Sequence, residues 1–231
     1  VTGTMTWNGG AIGNGTVNGN VTVNGLITMQ NAIHTLSKKT LNANGGVSHV
    51  ASGFYLTDGA IFNLPIGQTF LANSSLGMVY NGGSACAVNM AGTFLRNVTG
   101  AYVVGGDVIF NNSGMVDIQD GSITLNWGGT HTGTFNVATG KVFNFGGGTH
   151  QLNGATFTGA GDVLQSGATL NLLSNISIGN FSLNSGFVTG AFDLTVNGNL
   201  VLGGNLDNNG NTIVTGTMTW NGGAIGNGTV N

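Results

Sequence analysis

An identical stretch of 18 residues stands at both ends of the chain. Residues 1–18 read VTGTMTWNGGAIGNGTVN, and residues 214–231 repeat that string without a change. Chance does not produce an identity of this length. The fold must therefore accept whole copies of its own sequence, as solenoids and other tandem-repeat arrays do.

The repeat predicts that residues 1–213 are one period of a tandem array and that residues 214–231 begin the next identical period. The chain opens in mid-pattern, and we expect it to be a segment of something longer. A duplication of the two ends of a single protein is the alternative. Under the first interpretation the junction between periods is marked by Val1, Trp7, Asn18, Val214, Trp220 and Asn231.

Shorter repeats recur inside this period. The string LNWGGTH at residues 125–131 is echoed by FNFGGGTH at residues 143–150. Related small-Gly-apolar patterns return roughly every 17 to 27 residues, which is typical of one coil of a solenoid. Residues at matching places in successive coils stack on one another. The candidates for such stacked ladders are Asn126, Asn144, His131 and His150.

Short runs of alternating apolar and polar residues fill most of the chain. In ITLNW at residues 123–127 and TLNL at residues 169–172, one face is apolar and the other carries Thr or Asn, as in half-buried strands. Pairs such as Gly-Gly and Asn-Gly, which suit sharp corners, separate the runs. A stack of antiparallel hairpins and a parallel β-helix both fit this pattern. The long repeat favours the helix, with about 10 coils and a rise of roughly 50 Å per period.

The composition agrees with a stack of coils. Charged residues make up 5% of the chain, against about 25% in an ordinary domain, whereas it holds 44 Gly, 32 Asn and 28 Thr. Stacked amides can form ladders, while stacked charges of one sign repel each other. Four Lys and Arg residues cannot neutralise a run of phosphates, so we expect no nucleic-acid partner. No apolar stretch is long enough for a membrane span.

Residues 27–103 look less regular than the rest. They contain the only Pro, the only Cys and the only Arg of the chain, and the string ITMQNAIHTLSKKTL at residues 27–41 could form a helical turn. We therefore expect looser coils or a lateral excursion in this stretch. Regular coils are predicted for residues 104–213, with most strand order from Ala101 onward.

The most specific motifs lie between residues 110 and 172. They are FNNSG, the two GGTH strings and SGATLNL. In these motifs the chain resembles the repeats of very large secreted or surface proteins of bacteria, including filamentous-haemagglutinin-like adhesins and autotransporter-type passengers. The resemblance implies a right-handed parallel β-helix and an extracellular or cell-surface location. It implies no catalytic residue.

The acidic residues offer little for catalysis. A polysaccharide lyase or hydrolase on a β-helix needs carboxylates or basic residues clustered in a groove. Asp117 and Asp120, in the string DIQD, are the closest acidic pair, and a coil corner is favoured there over a carboxylate dyad. We therefore predict no catalytic residue and no enzyme.

Metal and cofactor sites are not predicted either. His131 and His150 hold matching places in neighbouring repeats, but with no third ligand a ladder or a surface pair is favoured over a zinc site. The strings GGDV at residues 105–108 and GAGDV at residues 159–163 do not complete a calcium-binding nonapeptide. We expect neither a bound metal nor a cofactor.

The leading functional interpretation is structural. It describes the chain as a repeat unit of a giant extracellular β-solenoid filament, a fibre or adhesin stalk, whose partners are adjacent identical repeats along the axis. The periods are either covalently continuous or separate subunits that stack end to end. Lateral contacts with other filaments, for which Lys38 and Lys39 are the only basic cluster, and with surface glycans are further candidates.

Two other classes of function remain open. A glycan- or surface-binding solenoid module is the first alternative. Trp7, Trp127 and Trp220 could then offer faces for sugar stacking, although core or corner positions are favoured for them. A polysaccharide-active enzyme is the second alternative, and the scarcity of charge counts against it.

Overall fold

The computed structural model describes residues 1–13 and 18–226. Every helix or strand within these residues is a β-strand, and every strand pairing is parallel. The chain visits three faces in the same order in each coil. The predicted parallel β-solenoid is therefore confirmed, and the stack of antiparallel hairpins is wrong.

The strands are short and follow one another at the corners of the coil. The first fifteen are Met5–Trp7 (β1), Gly10–Ile12 (β2), Gly19–Val23 (β3), Ile27–Met29 (β4), His34–Ser37 (β5), Lys39–Ala43 (β6), Val47–His49 (β7), Phe54–Thr57 (β8), Ile61–Leu64 (β9), Thr69–Ala72 (β10), Met78–Tyr80 (β11), Cys86–Met90 (β12), Thr93–Arg96 (β13), Ala101–Val104 (β14) and Val108–Asn112 (β15). The others are Met115–Ile118 (β16), Ser122–Leu125 (β17), Gly128–His131 (β18), Thr134–Val137 (β19), Val142–Phe145 (β20), Thr149–Leu152 (β21), Thr156–Thr158 (β22), Asp162–Leu172 (β23), Ile176–Ile178 (β24), Asn180–Gly190 (β25), Leu194–Val196 (β26), Leu200–Leu202 (β27), Asn205–Leu206 (β28), Thr212–Val214 (β29) and Met218–Trp220 (β30).

Each face of the solenoid is a column of strands from successive coils. The first face consists of β1, β4, β7, β10, β13, β16, β19 and β22, followed by β24, β26 and β29. The second face runs from β2 through β5, β8, β11, β14, β17 and β20, then through the first parts of β23 and β25 to β27 and β30. The third face runs from β3 through β6, β9, β12, β15, β18 and β21, then through the later parts of β23 and β25 to β28. Eleven strands on the first face make about 11 turns.

The coils differ in length. Asn63 and Asn89, which are register partners on the third face, are 26 residues apart, whereas Leu194 and Thr212 on the first face are 18 apart. These values agree with the spacing predicted from the short repeats. In the shorter coils, β23 and β25 are each 11 residues long because the chain passes from the second face to the third without leaving the strand conformation.

The stretch at residues 27–103 has the same three-face order as the rest. It contains β4 to β14, and the helical turn predicted for residues 27–41 is wrong. Asn31 and Lys38 adopt positive φ angles of 70° and 54°, so the backbone turns corners there instead of continuing a helix. Ten of the strands precede Ala101, or end just before it, so strand order is not concentrated after that residue. The irregularity shows instead as longer coils.

The core is an apolar column along the axis. Inward-facing residues of the three faces are buried, and like residues often stack on like. Phe70 and Phe94 are register partners with ring centroids 5.2 Å apart, and Phe135 and Phe157 repeat the arrangement at 5.1 Å. Each coil therefore depends on its neighbours to bury its apolar side chains.

One corner of the solenoid is formed by stacked glycines. A Cβ added at Gly114 would lie 2.1 Å from the carbonyl oxygen of Gly92, and one added at Gly133 would lie 2.2 Å from the carbonyl oxygen of Gly114. Neither glycine has a positive φ, so close approach of successive backbones is the constraint here. The abundance of Gly thus reflects packing along the axis as well as turn geometry.

Candidate functional site

The two copies of the terminal repeat lie on different faces of the solenoid. Met5–Trp7 forms β1 on the first face, where Met5 pairs with Ile27. The identical residues Met218–Trp220 form β30 on the second face, where Met218 pairs with Leu200. The shift continues along the copy, because Gly10–Ile12 is a strand of the second face while Ile225 bridges to Leu206 on the third.

The inward and outward orientation of the copies is nevertheless the same. Trp7 is buried in the core, where its ring lies 5.2 Å from that of His34. Trp220 is in register with the buried Leu202, but 57% of its surface is exposed because few residues follow to cover it. Its indole N–H donates to the Gly222 carbonyl at 2.6 Å. Trp220 thus holds an inward position in a coil that is open on one side.

The remaining junction residues follow the same offset. Val1 precedes β1, and its amino group donates to the Thr22 carbonyl at 2.8 Å, whereas Val214 ends β29 in register with Val196. Asn18 is exposed just before β3. Asn231 lies outside the described residues. From Met5 to Met218 the chain therefore makes ten turns and advances by one face.

The predicted ladder residues Asn126 and Asn144 do not stack on each other. Asn144 pairs with Thr124, and its side-chain oxygen accepts from the Ser166 hydroxyl at 3.1 Å. Asn126 lies beyond the end of β17, where its side-chain oxygen would be 2.1 Å from a Cβ added at Gly146. The longer second string, with its extra Gly, places the two amides out of register.

A continuous amide ladder lies instead on the outer side of the third face. Asn63 donates to Asn42 at 2.8 Å, Asn89 donates to Asn63 at 2.8 Å, and Asn111 donates to Asn89 at 2.9 Å. All four are register partners from coil to coil. The Asn111 side chain then accepts from the backbone N–H of Thr130 at 3.0 Å. Each amide both donates and accepts, so the bonds run along the fibre axis without any charge.

His131 and His150 do form a stacked pair, and they do so in the core. Both are fully buried, their ring centroids lie 5.1 Å apart, and His131 Nε2 is 2.9 Å from His150 Nδ1. The strand partners are His131 with Leu152 and Gly129 with His150, so the rings meet across a register offset of two residues. Burial lowers the pKa of His150 to about 4 and that of His131 well below its usual value.

The other two histidines are also inside the column. His34 Nε2 contacts the Trp7 carbonyl oxygen at 2.7 Å. His49 Nδ1 lies 2.9 Å from the hydroxyl of the fully buried Tyr102, and its Nε2 lies 3.1 Å from the Ser52 carbonyl oxygen. Burial lowers the pKa of His49 to about 4. These rings are neutral core residues in a protein with few charges.

The only Arg is buried, which sequence reasoning missed. Arg96 donates to the carbonyl oxygens of Ala72, Ser74 and Thr99 at 2.6, 3.0 and 2.7 Å, and its guanidinium lies 5.9 Å from the Tyr102 ring centroid. Burial lowers its pKa. A buried cation on backbone carbonyls closes a corner of the coil, and a single Arg in an apolar alternation, TFLR, was the available signal.

Asp117 and Asp120 do not act as a pair. The two carboxylate oxygens of Asp117 accept from Asn136 at 2.7 Å and from Gln119 at 2.8 Å. Asp120 forms an ion pair with Lys141 at 2.5 Å, and this hydrogen bond lowers its pKa. Each carboxylate is thus occupied by its own neighbours at a coil corner.

Within residues 1–13 and 18–226, no group of three or more His, Cys, Asp or Glu side chains could hold a metal ion. The same residues contain no helix that could cross a membrane. The two strings related to the calcium nonapeptide lie at coil corners, beside β15 and β23.

Trp127 is the one predicted aromatic residue that sits outside the core of an inner coil. It lies at the corner between the second and third faces and is 44% exposed. It borders an open groove with Gly128, Thr149 and Gln151. The chain matches no known protein family, no curated protein and no solved structure. The resemblance to adhesin repeats therefore remains a prediction.

Proposed function

We propose that the chain is one period of a giant extracellular filament whose shaft is a continuous β-solenoid, and that its role is mechanical. The observation that carries this proposal is the identical sequence in the first and last coils, with the same residues facing inward. The outer edge of a terminal coil leaves backbone groups unpaired, and another coil can satisfy them. Adjacent identical periods are the partners that fit this edge.

The exposed Trp220 supports the extension. Its counterpart Trp7 is buried by the coil that follows it, and residues following position 226 in an array would repeat that arrangement around Trp220. The array therefore replaces a solvent-exposed indole with a buried one at each junction, which favours continuation by the hydrophobic effect.

The advance by one face sets the symmetry of the proposed filament. If each period makes ten turns and one face, the next period starts one face further round the axis. Three periods bring a given residue back to its original face. At about 4.8 Å per coil, one period rises roughly 50 Å and the full repeat roughly 150 Å.

The side chains suit a load-bearing shaft. Backbone hydrogen bonds run along the axis on three faces, an apolar column fills the interior, and the Asn42 to Asn111 ladder adds side-chain bonds in the same direction. Uncharged ladders stack without repulsion at any length. The role needs no catalytic residue, cofactor or metal.

A chain of three successive 213-residue periods tests the proposal. Electron microscopy should reveal one uninterrupted rod that is roughly 100 Å longer than the single period. Image reconstruction should find identical features one period apart on neighbouring faces. Three separate beads would contradict a continuous shaft, and features repeating on the same face would contradict the advance by one face.

Two variants of the three-period chain control for the junction. Thr219→Pro at both internal junctions removes a backbone N–H in the middle of β30 and should break the rod into segments. Thr219→Val keeps the strand and should leave the rod intact. On the native material, intact mass under denaturing conditions separates covalent periods from stacked subunits. A mature protein near the 23.2 kDa of this chain, with no flanking copies in its gene, would contradict the array. Recovery from the cell surface or medium tests the location.

A further inference from the structure

An open groove lies on the third face, where β18 passes between β15 and β21. Ile109 of β15 borders it on one side and Thr149 of β21 on the other, with the Trp127 indole at the corner and Gly128 and Gly129 in the lining. Its volume is about 460 Å³. It is thus large enough for one or two sugar units and remains open to solvent.

The groove is built into the backbone. Gly128 is in register with Thr149, whose side chain stands on the outer surface, but Gly128 has no side chain to fill the corresponding place. A Cβ at Gly128 would lie 2.4 Å from the Thr149 carbonyl oxygen, and Gly128 has a φ of 141°. Only glycine meets both conditions, so the gap in the row of side chains is a fixed feature.

Polar groups without protein partners surround the groove. Among the described residues, no acceptor pairs with the Trp127 indole N–H, and none of the described groups pairs with the hydroxyls of Thr130 and Thr149. Gln151 is held through its side-chain oxygen, which accepts from Asn171 at 2.7 Å, and this leaves its amide N–H groups available. The donors and acceptors are therefore partly fixed in place before any ligand arrives.

The chemistry of this lining indicates a neutral ligand. None of its side chains is charged, so it offers no counterion to a phosphate, a sulfate or a carboxylate. An exposed indole presents a flat apolar face, which can cover the C–H face of a pyranose ring, while the amides and hydroxyls match the sugar's hydroxyl groups. We propose that this groove binds a neutral pyranose unit of a glycan, stacked on Trp127. The site belongs to a single period and does not depend on filament formation.

Binding is tested on the single 231-residue chain with neutral hexasaccharides of glucose, mannose, xylose and N-acetylglucosamine, and with a heparin hexasaccharide as the charged probe. Calorimetry should detect binding of at least one neutral sugar, with little dependence on salt. Trp127→Ala should weaken that binding by about tenfold or more. Thr149→Val, which keeps the side-chain shape and removes one hydroxyl, should weaken it less.

Trp220→Ala is the matched control, because it removes an exposed indole that lies outside the groove. It should leave the affinity unchanged, and the circular dichroism of all variants should match that of the parent chain. The proposal is overturned if no neutral hexasaccharide binds at millimolar concentration, if heparin alone binds, or if Trp127→Ala binds as well as the parent. None of these results bears on the proposed filament.

Discussion

His131 Nε2 lies 2.9 Å from His150 Nδ1 in the centre of the solenoid, and the protein around the pair fixes which nitrogens carry protons. The Gly147 carbonyl oxygen, 3.1 Å from His150 Nε2, only accepts, so His150 carries its proton there. His150 Nδ1 is then the acceptor and His131 Nε2 the donor. The remaining nitrogen, His131 Nδ1, is buried with no partner.

Protonation would disrupt this arrangement. A proton on His150 Nδ1 would point at the N–H of His131, and a proton on His131 Nδ1 would find no acceptor. The lowered pKa values of His49 and His150, both about 4, and of His131 therefore have a structural cause as well as burial. The usual histidine value in an unfolded chain is about 6.5.

The first prediction is a loss of stability in mild acid. Between pH 6.5 and about 4 the unfolded chain binds protons that the folded core excludes, so the free energy of unfolding falls as the pH falls through this window. The stability should be constant above about pH 7.5. His49 and His150 should each contribute a loss of about 3 kcal/mol by pH 4. Urea denaturation at a series of pH values measures the effect.

His150→Gln supplies the control for this prediction. The amide cannot titrate, so the variant should be less stable at pH 7.5 but should lose less stability between pH 7.5 and 4.5 than the parent. Equal urea midpoints for the parent chain at the two pH values would contradict the prediction. Two-dimensional ¹⁵N spectra of the histidine rings provide an independent check of the protonated nitrogens.

The sequence predicted the architecture well because its cause is periodic. The parallel stack, the coil length and the stacking of His131 on His150 all follow from repeats that are visible in the letters. The ladder failed in detail because register depends on corner lengths: one added Gly moves Asn144 opposite Thr124, whereas Asn63 and Asn89 align across 26 residues. The buried Arg96 and the open Trp127 groove arise from corner geometry, which alternation does not encode.

The second prediction concerns the amide ladder. Asn89 both donates to Asn63 and accepts from Asn111, so Asn89→Ala breaks two hydrogen bonds and should destabilise the fold by about 1–2 kcal/mol. Asn89→Asp keeps the acceptor but removes the donor and introduces a charge, and it should also destabilise. Asn81→Ala is the control, because the exposed Asn81 side chain bonds to none of the described residues. Equal urea midpoints for the Asn81 and Asn89 alanine variants would contradict the ladder's role.

The third prediction concerns the glycine corner. Gly114→Ala places a Cβ 2.1 Å from the Gly92 carbonyl oxygen, and the stacked backbones can separate only by straining the ladders on both sides. We expect a loss of about 1–3 kcal/mol, measured by thermal and urea unfolding. Gly3→Ala is the matched control, since a Cβ there meets nothing within 4 Å. A Gly114 variant as stable as the Gly3 variant would mean that the stack adapts more easily than its geometry indicates.

The fourth prediction contrasts a buried cation with an exposed one. Arg96 donates to three backbone carbonyl oxygens at a closed corner, so Arg96→Met leaves those carbonyls without donors and should cost about 2–4 kcal/mol. Arg96→Lys should recover only part of this, because an ammonium cannot reproduce the planar fork of the guanidinium. Lys141→Met removes the partly exposed ion pair with Asp120 and should cost less than about 1 kcal/mol. Urea unfolding at pH 7.5 ranks the three variants, and equal losses for Arg96→Met and Lys141→Met would show that the corner does not depend on the guanidinium.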